Sequence, residues 1–393
     1  MTDWFGFIGS LVVILAIAGR NLPLALIAGA VVIGFVTLPV DTVLERFAYT
    51  LTDPSILMLA VAMGIIPVIG GTMRASGQVD LLVGNLRVKR RWLLPLSASM
   101  MGLLPMPGGA LLSAPIVEKG GEGVPDELKA AINNWFRHLF ILIYPLSPAL
   151  VASAKIAGLD LYVAMVHLLP GTFLAIILGY FFYLRQVRGA VHYDHGFSWR
   201  GLVVPLGIIL SAPVLDFTLK RAFGLGNLAT VIGVLVALGL SIALATRSMD
   251  LRPIIRRMKP WNFALIIIGM FLYLHVFEVS PSRLLIAELP LPPLMLAVVA
   301  GFGLGFATGR VQLPASIIFP VYLAAVAAVT PTVFALIYIA IFFGYIISPV
   351  HPCLVVTSEY FHVPIRGIMR RHAVPTAAVF GIVLVIVSML LIQ

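Results

Sequence analysis

Runs of about 20 apolar residues recur from one end of the chain to the other, and each is long enough to cross roughly 30 Å of hydrocarbon as a helix. Ten spans follow: 4–19, 22–39, 53–73, 130–155, 160–184, 201–217, 226–246, 260–279, 331–356 and 373–392. Of the 393 residues, 61% are hydrophobic and 11% charged, too little polar side chain to solvate a soluble surface of that size. The expected class is an all-α polytopic protein of the cell membrane, with the bilayer as its first partner and no separate soluble domain. The segment from Trp4 to Ala18 ends in Ala16-Ile17-Ala18, a faint signal-peptidase pattern, but Asp3 and the lack of Lys or Arg before it favour a retained first helix. The net charge of +10 resides in short clusters between apolar runs, where Lys and Arg orient helices and meet anionic headgroups, so no nucleic-acid partner is implied.

Two further apolar stretches, 92–118 and 291–322, are interrupted by Pro and Gly near their middles and cannot be ordinary spans. Treated as re-entrant hairpins, they leave 19 of the 26 Lys and Arg in loops on one side. Five fall on the other side (Arg46, Lys155, Lys220, Arg221 and Arg283), and Arg137 and Arg310 are left at membrane depth. Treating either stretch as a single crossing would split the clusters Arg87-Val88-Lys89-Arg90-Arg91 and Arg256-Arg257-Met258-Lys259 between opposite faces. Both termini are then expected outside.

An internal repeat agrees with this map. Sliding the chain by 205 residues places Gly64 on Gly269, Ala110 on Ala315 and Pro115 on Pro320; a slide of 201 places Tyr144 on Tyr345 and Ser147-Pro148 on Ser348-Pro349. Each half, 1–190 and 191–393, reads as three spans, a hairpin, a span broken by Ser-Pro (130–155 and 331–356) and a last span. Five crossings is an odd number, so the halves are expected to be inverted-topology repeats whose hairpin tips approach the bilayer centre from opposite faces.

Non-helical backbone at membrane depth is tolerated only where protein or a water-filled cavity satisfies it, which makes the four breaks candidate binding elements. The first hairpin turns at Pro105-Met106-Pro107-Gly108-Gly109, with Ser113 on the returning arm. The second turns at Thr308-Gly309-Arg310-Val311-Gln312-Leu313-Pro314, followed by Ser316. Ser147-Pro148 and Ser348-Pro349, the latter leading to His351, break the spans that follow. Helix amino ends favour an anion and carbonyl ends a cation. Arg310 is the most informative residue, because a guanidinium at the bilayer centre costs at least about 3 kcal/mol unless paired or wet. It would select an anionic substrate such as a carboxylate or phosphate; the alternative is a shallower hairpin from which it reaches water.

Asn133, Asn134, Arg137 and His138 begin the fourth span, where they either line the cytoplasmic approach or, for Arg137, snorkel to the interface, the plainer expectation. His275 and Glu278 lie one turn apart and either share a proton or form a structural pair. His167 and Asp216 read as satisfied packing residues, and Glu118 as a solvated one. The single cysteine, Cys353, has no ligand-spaced partner, so neither disulfide nor Cys-type metal site is expected. No nucleotide-binding loop, zincin helix or hydrolase elbow occurs, which argues against an enzyme and against any resident cofactor.

This pattern resembles the ion transporter superfamily of citrate, gluconate, dicarboxylate and arsenite carriers over the whole chain. The stretch Leu104-Pro-Met-Pro-Gly-Gly-Ala-Leu-Leu-Ser-Ala-Pro-Ile-Val-Glu118 is similar to an uncharacterised integral-membrane branch of it. The resemblance implies that hairpin tips and unwound spans bind substrate and coupling ion and move as a block against a scaffold, as in an elevator, often in a homodimer. Carried over, those positions are Pro107 to Gly109 with Ser113, Thr308 to Pro314 with Ser316, and the two Ser-Pro breaks. The Ser-Asn-Thr order of the sodium-coupled dicarboxylate branch is missing from these tips. The expected function is secondary transport of a small anion, of the organic-acid class, driven by H+ or Na+. The alternatives are a carrier (flippase) of a lipid-linked phosphate and, less favoured, a membrane-embedded enzyme.

Overall fold

The computed structural model describes residues 2–104, 109–189, 191, 196–287 and 290–392, and all regular structure among them is helical. The first half contains α1 (Thr2–Ala18), α2 (Leu22–Thr37), α3 (Val40–Thr52), α4 (Pro54–Ala75), α5 (Gln78–Gly84), α6 (Arg90–Gly102), α7 (Ala110–Gly120), α8 (Asp126–Leu139), a 3-10 turn (Phe140–Ile143), α9 (Pro148–Ile156) and α10 (Leu161–Phe182). The second contains α11 (Trp199–Phe223), α12 (Gly226–Ala243), α13 (Leu251–Met258), α14 (Pro260–Val279), α15 (Ser282–Ala287), α16 (Pro293–Thr308), α17 (Gln312–Ala325), α18 (Pro331–Ile347), α19 (Pro352–Tyr360) and α20 (Ile365–Ile392). Helix starts are written in the sequence. Asp53 accepts the Ser55 and Ile56 amides ahead of α4, Asn21 accepts the Leu24 amide ahead of α2, and Pro54 and Pro23 occupy opening positions where an amide would have no helical partner.

Among the described residues, seven helices are long and apolar enough to cross a membrane, or eight if the bent pair formed by Asp126–Ile143 and Pro148–Ile156 is one span. The chain is a polytopic membrane protein. Its lipid-facing surface follows from composition: α10 and α20 expose Val166, Phe173, Ile177, Val374, Val385 and Met389 outward. Each of the ten expected spans has its helix, α1 and α2 being the short ones at 17 and 16 residues. Four short helices, α3, α5, α13 and α15, were not expected from apolar runs. In α13, Ile254 and Met258 turn inward while Arg252, Arg256 and Arg257 are exposed, the division an interfacial helix requires.

The helices gather into two groups. In one, α1 packs on α2, α2 on α14, α14 on α4, α4 on α12 and α12 on α11. The other holds α6 to α10 and α16 to α20, built around α8 and α18. These two are enclosed on every side: α8 is buried without interruption from Leu128 to Leu139 and α18 from Phe334 to Gly344. Glycine lets α16 approach α18 backbone to backbone. A Cβ on Gly344 would lie 2.1 Å from the Phe302 carbonyl oxygen, and one on Gly305 would lie 2.3 Å from that of Ile341. Gly303, two residues from Gly305, faces open space.

Gly344→Ala therefore forces the two helices apart and should cost about 1–3 kcal/mol, whereas Gly303→Ala should be neutral or slightly stabilising. Thermal unfolding in detergent micelles measures both; equal melting of the two variants would contradict this contact.

Candidate functional site

Both enclosed helices are broken at their carboxyl ends. After α8, the 3-10 turn and residues 144–147 redirect the chain by 41° into α9, with Ser147 as cap and Pro148 as first helical residue. After α18, Ser348, Pro349 and Val350 form the link, His351 caps α19 and Pro352 opens it. The two Ser-Pro pairs are thus not equivalent: Pro148 starts a helix, whereas Pro349 lies in the link and Pro352 takes the starting role. Ser348 Oγ accepts the Val350 amide at 3.3 Å and so stabilises the turn.

The hairpins meet these breaks. α6 packs on α8, where Ser99 Oγ donates to the Phe136 carbonyl at 2.7 Å, and a Cβ on Gly102 would lie 1.8 Å from the Arg137 carbonyl oxygen. At the second tip Gly309 is left-handed, with φ of 59°, and a Cβ there would lie 2.8 Å from the His351 amide nitrogen. Each returning arm also touches the broken helix of the other half, α7 packing on α19 and α17 on α9. Of the residues expected at the first tip, Pro107 and Gly108 lie outside the described residues, and Gly109 precedes α7. Ser113, Pro314 and Ser316 are buried, Gln312 and Thr308 partly so. Three hydroxyls are turned back on their own helices, Thr308 donating to Leu304 O at 2.7 Å, Ser316 to Leu313 O at 2.8 Å and Ser113 to Ala110 O at 3.3 Å.

A buried polar centre lies between α8 and the second break. Asn133 Nδ2 donates to Thr357 Oγ1 at 3.1 Å, and Asn134 Nδ2 to His372 Nε2 at 3.1 Å and to the Ile346 carbonyl at 3.3 Å. With Nε2 accepting, His372 Nδ1–H donates to the Tyr183 oxygen at 2.7 Å, and the Tyr183 hydroxyl donates to the Arg371 carbonyl at 3.3 Å. His138 Nδ1–H donates to the Asn134 carbonyl at 2.6 Å. The His138 and His351 rings lie 4.6 Å apart, and Tyr345 stacks at 4.0 Å from His351.

Two guanidinium groups stand at this centre. Arg137 is 3% exposed and donates from Nη1 to Ser113 Oγ at 3.4 Å; Arg310, at the second tip, is half-buried. Both lie within Coulombic reach of the Tyr345 phenol. Among the described residues neither forms an ion pair with a carboxylate; the pairs present join Glu45, Asp80, Asp126, Glu127, Asp160 and Asp216 to other cations. A buried cation without an ion-paired carboxylate is costly in protein or lipid.

On one side of the hairpin α6–α7 lies a cleft of about 680 Å³ between α4, α5 and α7, lined by Arg74, Asp80, Arg87, Arg90, Lys119 and Glu122 together with apolar residues of α7. A second groove, of about 370 Å³ between α10, α18 and α20, is almost wholly apolar and faces lipid.

A family model for a protein of unknown function, DUF401, matches residues 6–392. The chain belongs to the DUF401 family. A search of curated proteins returns no match to it.

In this DUF401 chain several expectations are corrected. Arg137 does not snorkel to the interface, and Asn133, Asn134 and His138 do not line an open approach: α6, α18 and α20 cover all four. His275 and Glu278 do not pair. His275 Nδ1 shares a 2.8 Å hydrogen bond with Thr50 Oγ1 and its ring packs on Tyr49, while Glu278 is exposed. Asp216 is a satisfied packing residue, bonded by Tyr162, Thr230 and Lys220. Cys353 was expected to have no ligand-spaced partner, but His351 lies two residues before it and the second break brings both to His138, the three potential ligand atoms lying within 4.8 Å of one another. His372 and Tyr183 carried no motif, and Tyr345 was marked only by its match to Tyr144 in the repeat.

Replacing Asn134 with Leu keeps the branching and the number of heavy atoms but leaves His372 Nε2 and the Ile346 carbonyl without their shared donor. A loss of about 1–3 kcal/mol in stability is expected, read as a lower melting temperature in detergent; unchanged melting would show that the network holds nothing together.

Proposed function

We propose that this chain is a secondary active transporter of a small anion, of the organic-acid class, coupled to an H+ or Na+ gradient, rather than an enzyme. The observation that carries the reading is the pair Arg137 and Arg310, set among broken helices with no ion-paired carboxylate among the described residues. Helices α7, α9, α17 and α19 all begin at the breaks or hairpin tips, and their amino ends add positive potential where an anion would sit. Transport needs such a site to be internal and alternately reachable, which is a reason for opening helices at membrane depth at all.

In this reading residues 1–190 and 191–393 are inverted repeats, each contributing five crossings and one hairpin to a multi-pass cell-membrane protein with both termini outside. The element order supports it: a helix pair, an amphipathic helix, a span, a short helix, a hairpin, a broken helix and a last span occur once in each half. Packing partners support it too, since α2 on α14 has its counterpart in α12 on α4, and α17 on α9 in α7 on α19.

One difference between the counterparts bears on access. α17 packs against α14 and α15, whereas the charged cleft separates α7 from α4 and α5. Under the inverted map the cleft opens on the side rich in Lys and Arg, the cytoplasm. An elevator-type movement of α6–α10 with α16–α20 against the remaining helices would close this cleft and open its counterpart outside. A charged, water-accessible cleft favours a soluble anion over a lipid-linked phosphate. The lipid-facing groove includes none of the hairpin-tip residues.

Arg310→Ala should abolish uptake into proteoliposomes while the protein stays folded. A thermal-shift screen of organic and inorganic anions, with and without Na+ and at two pH values, reads binding directly. A ligand at 100 times its Kd adds about 2.7 kcal/mol. In Arg137→Gln and Arg310→Gln that increment should vanish although the unliganded protein melts no lower than the parent, because an uncompensated charge has been removed. Undiminished uptake or an undiminished shift would overturn the assignment.

A further inference from the structure

We propose that His138, His351 and Cys353 form a binding site for a soft, thiolate-seeking metal cation of the Zn2+ or Cu+ class. The three side chains come from α8 and from the start of α19, and each offers one ligand atom, all within 4.8 Å of one another. Two imidazoles and one thiol are a nitrogen and sulfur set, which suits Zn2+ or Cu+ and not Na+, Mg2+ or Ca2+.

The surroundings of the two histidines fit ligation. His138 Nδ1–H is held by the Asn134 carbonyl at 2.6 Å, so Nε2 is left with its lone pair free to coordinate. His351 is completely buried, and neither ring nitrogen has a hydrogen-bond partner of good geometry among the described residues; the Ile346 carbonyl is a weak, poorly aligned acceptor for it. Such an imidazole is destabilising as it stands, and a metal on one nitrogen, with the other N–H turned to the Ile346 carbonyl, would satisfy it. A backbone carbonyl behind each ligating ring is the usual outer partner of a metal-bound histidine. Tyr345 closes the site against His351, and its phenol is within Coulombic reach of Cys353.

Charge selects among ions here. Arg137 and Arg310 oppose a bare dication, but binding displaces the thiol proton to solvent, giving a neutral unit with Cu+ and a single positive charge with Zn2+. Three protein ligands also leave a position for water or an anion, which would neutralise the remainder. The site rests on its own geometry and does not require the transport reading.

The test uses the full chain in detergent, stripped of metal with a chelator and titrated with Zn2+. Bound zinc is measured after gel filtration, together with the rate at which a maleimide modifies Cys353, the only thiol in the chain. One zinc per chain is expected, with thiol modification slowed at least about tenfold; His138→Ala and His351→Ala should each weaken binding by about tenfold or more. Cd2+ should give a thiolate-to-metal ultraviolet absorption that Cys353→Ser abolishes. This conservative variant of a half-buried residue keeps the test decisive should either histidine variant fail to fold. Arg310→Gln should still bind zinc, so loss of anion binding and loss of metal binding report on separate claims. Absence of the Cd2+ band, an unprotected thiol at saturating Zn2+, or zinc retention unaffected by Cys353→Ser would overturn the site.

Discussion

Hydrocarbon offers no partner to an exposed amide, carbonyl or charge, and this single constraint organises the molecule. Two helices, α8 and α18, are enclosed along most of their length and interrupted at their carboxyl ends, and a guanidinium stands beside each interruption. Such features persist only where protein or water satisfies them. The unbroken burial of α8 and α18, the hairpins laid against them, and the glycines that bring α16 and α6 to backbone contact all serve that enclosure.

Satisfaction at the centre is incomplete in an informative way. Amide and imidazole groups are chained from Asn134 through His372 and Tyr183 to a backbone carbonyl, and Asn133 is tied to Thr357. The cations, by contrast, have no carboxylate among the described residues, and the His351 ring has no well-placed partner. By comparison Asp216, equally buried, is surrounded by Tyr162, Thr230 and Lys220 and needs nothing from outside. Asp216 is thus satisfied from within the fold, whereas the guanidinium groups and the His351 ring at the breaks lack such partners, a difference that fits the proposed carrier.

Much of the fold was legible because apolar runs of fixed length leave few choices. The spans agree with helices within a few residues at most ends, and the Pro-Gly interruptions fall between α6 and α7 and between α16 and α17. The short amphipathic helices α3 and α13 were missed because their signal is a periodicity and not an apolar run. The depth of Arg137 was illegible for another reason. Near the start of its span it had an apparent route to the interface, and only the tertiary cover supplied by α6, α18 and α20 closes that route. The approach of Cys353 to His138 depends on how the second break folds back on α8, a contact between residues more than 200 positions apart that local spacing cannot encode.

The proposed carrier requires the two chain reversals to enter from opposite faces, so that an anion held between two cations can be reached from each side in turn. Sidedness of labelling tests this most directly. In a Cys353→Ser background, single cysteines replace Lys89 and Glu122 at the base of the first hairpin and Arg283 and Ala328 at the base of the second, all four exposed. A membrane-impermeant maleimide should modify the first pair only in inside-out vesicles and the second pair only in intact cells. Modification of both pairs from the same face would contradict the opposed arrangement and the carrier built on it.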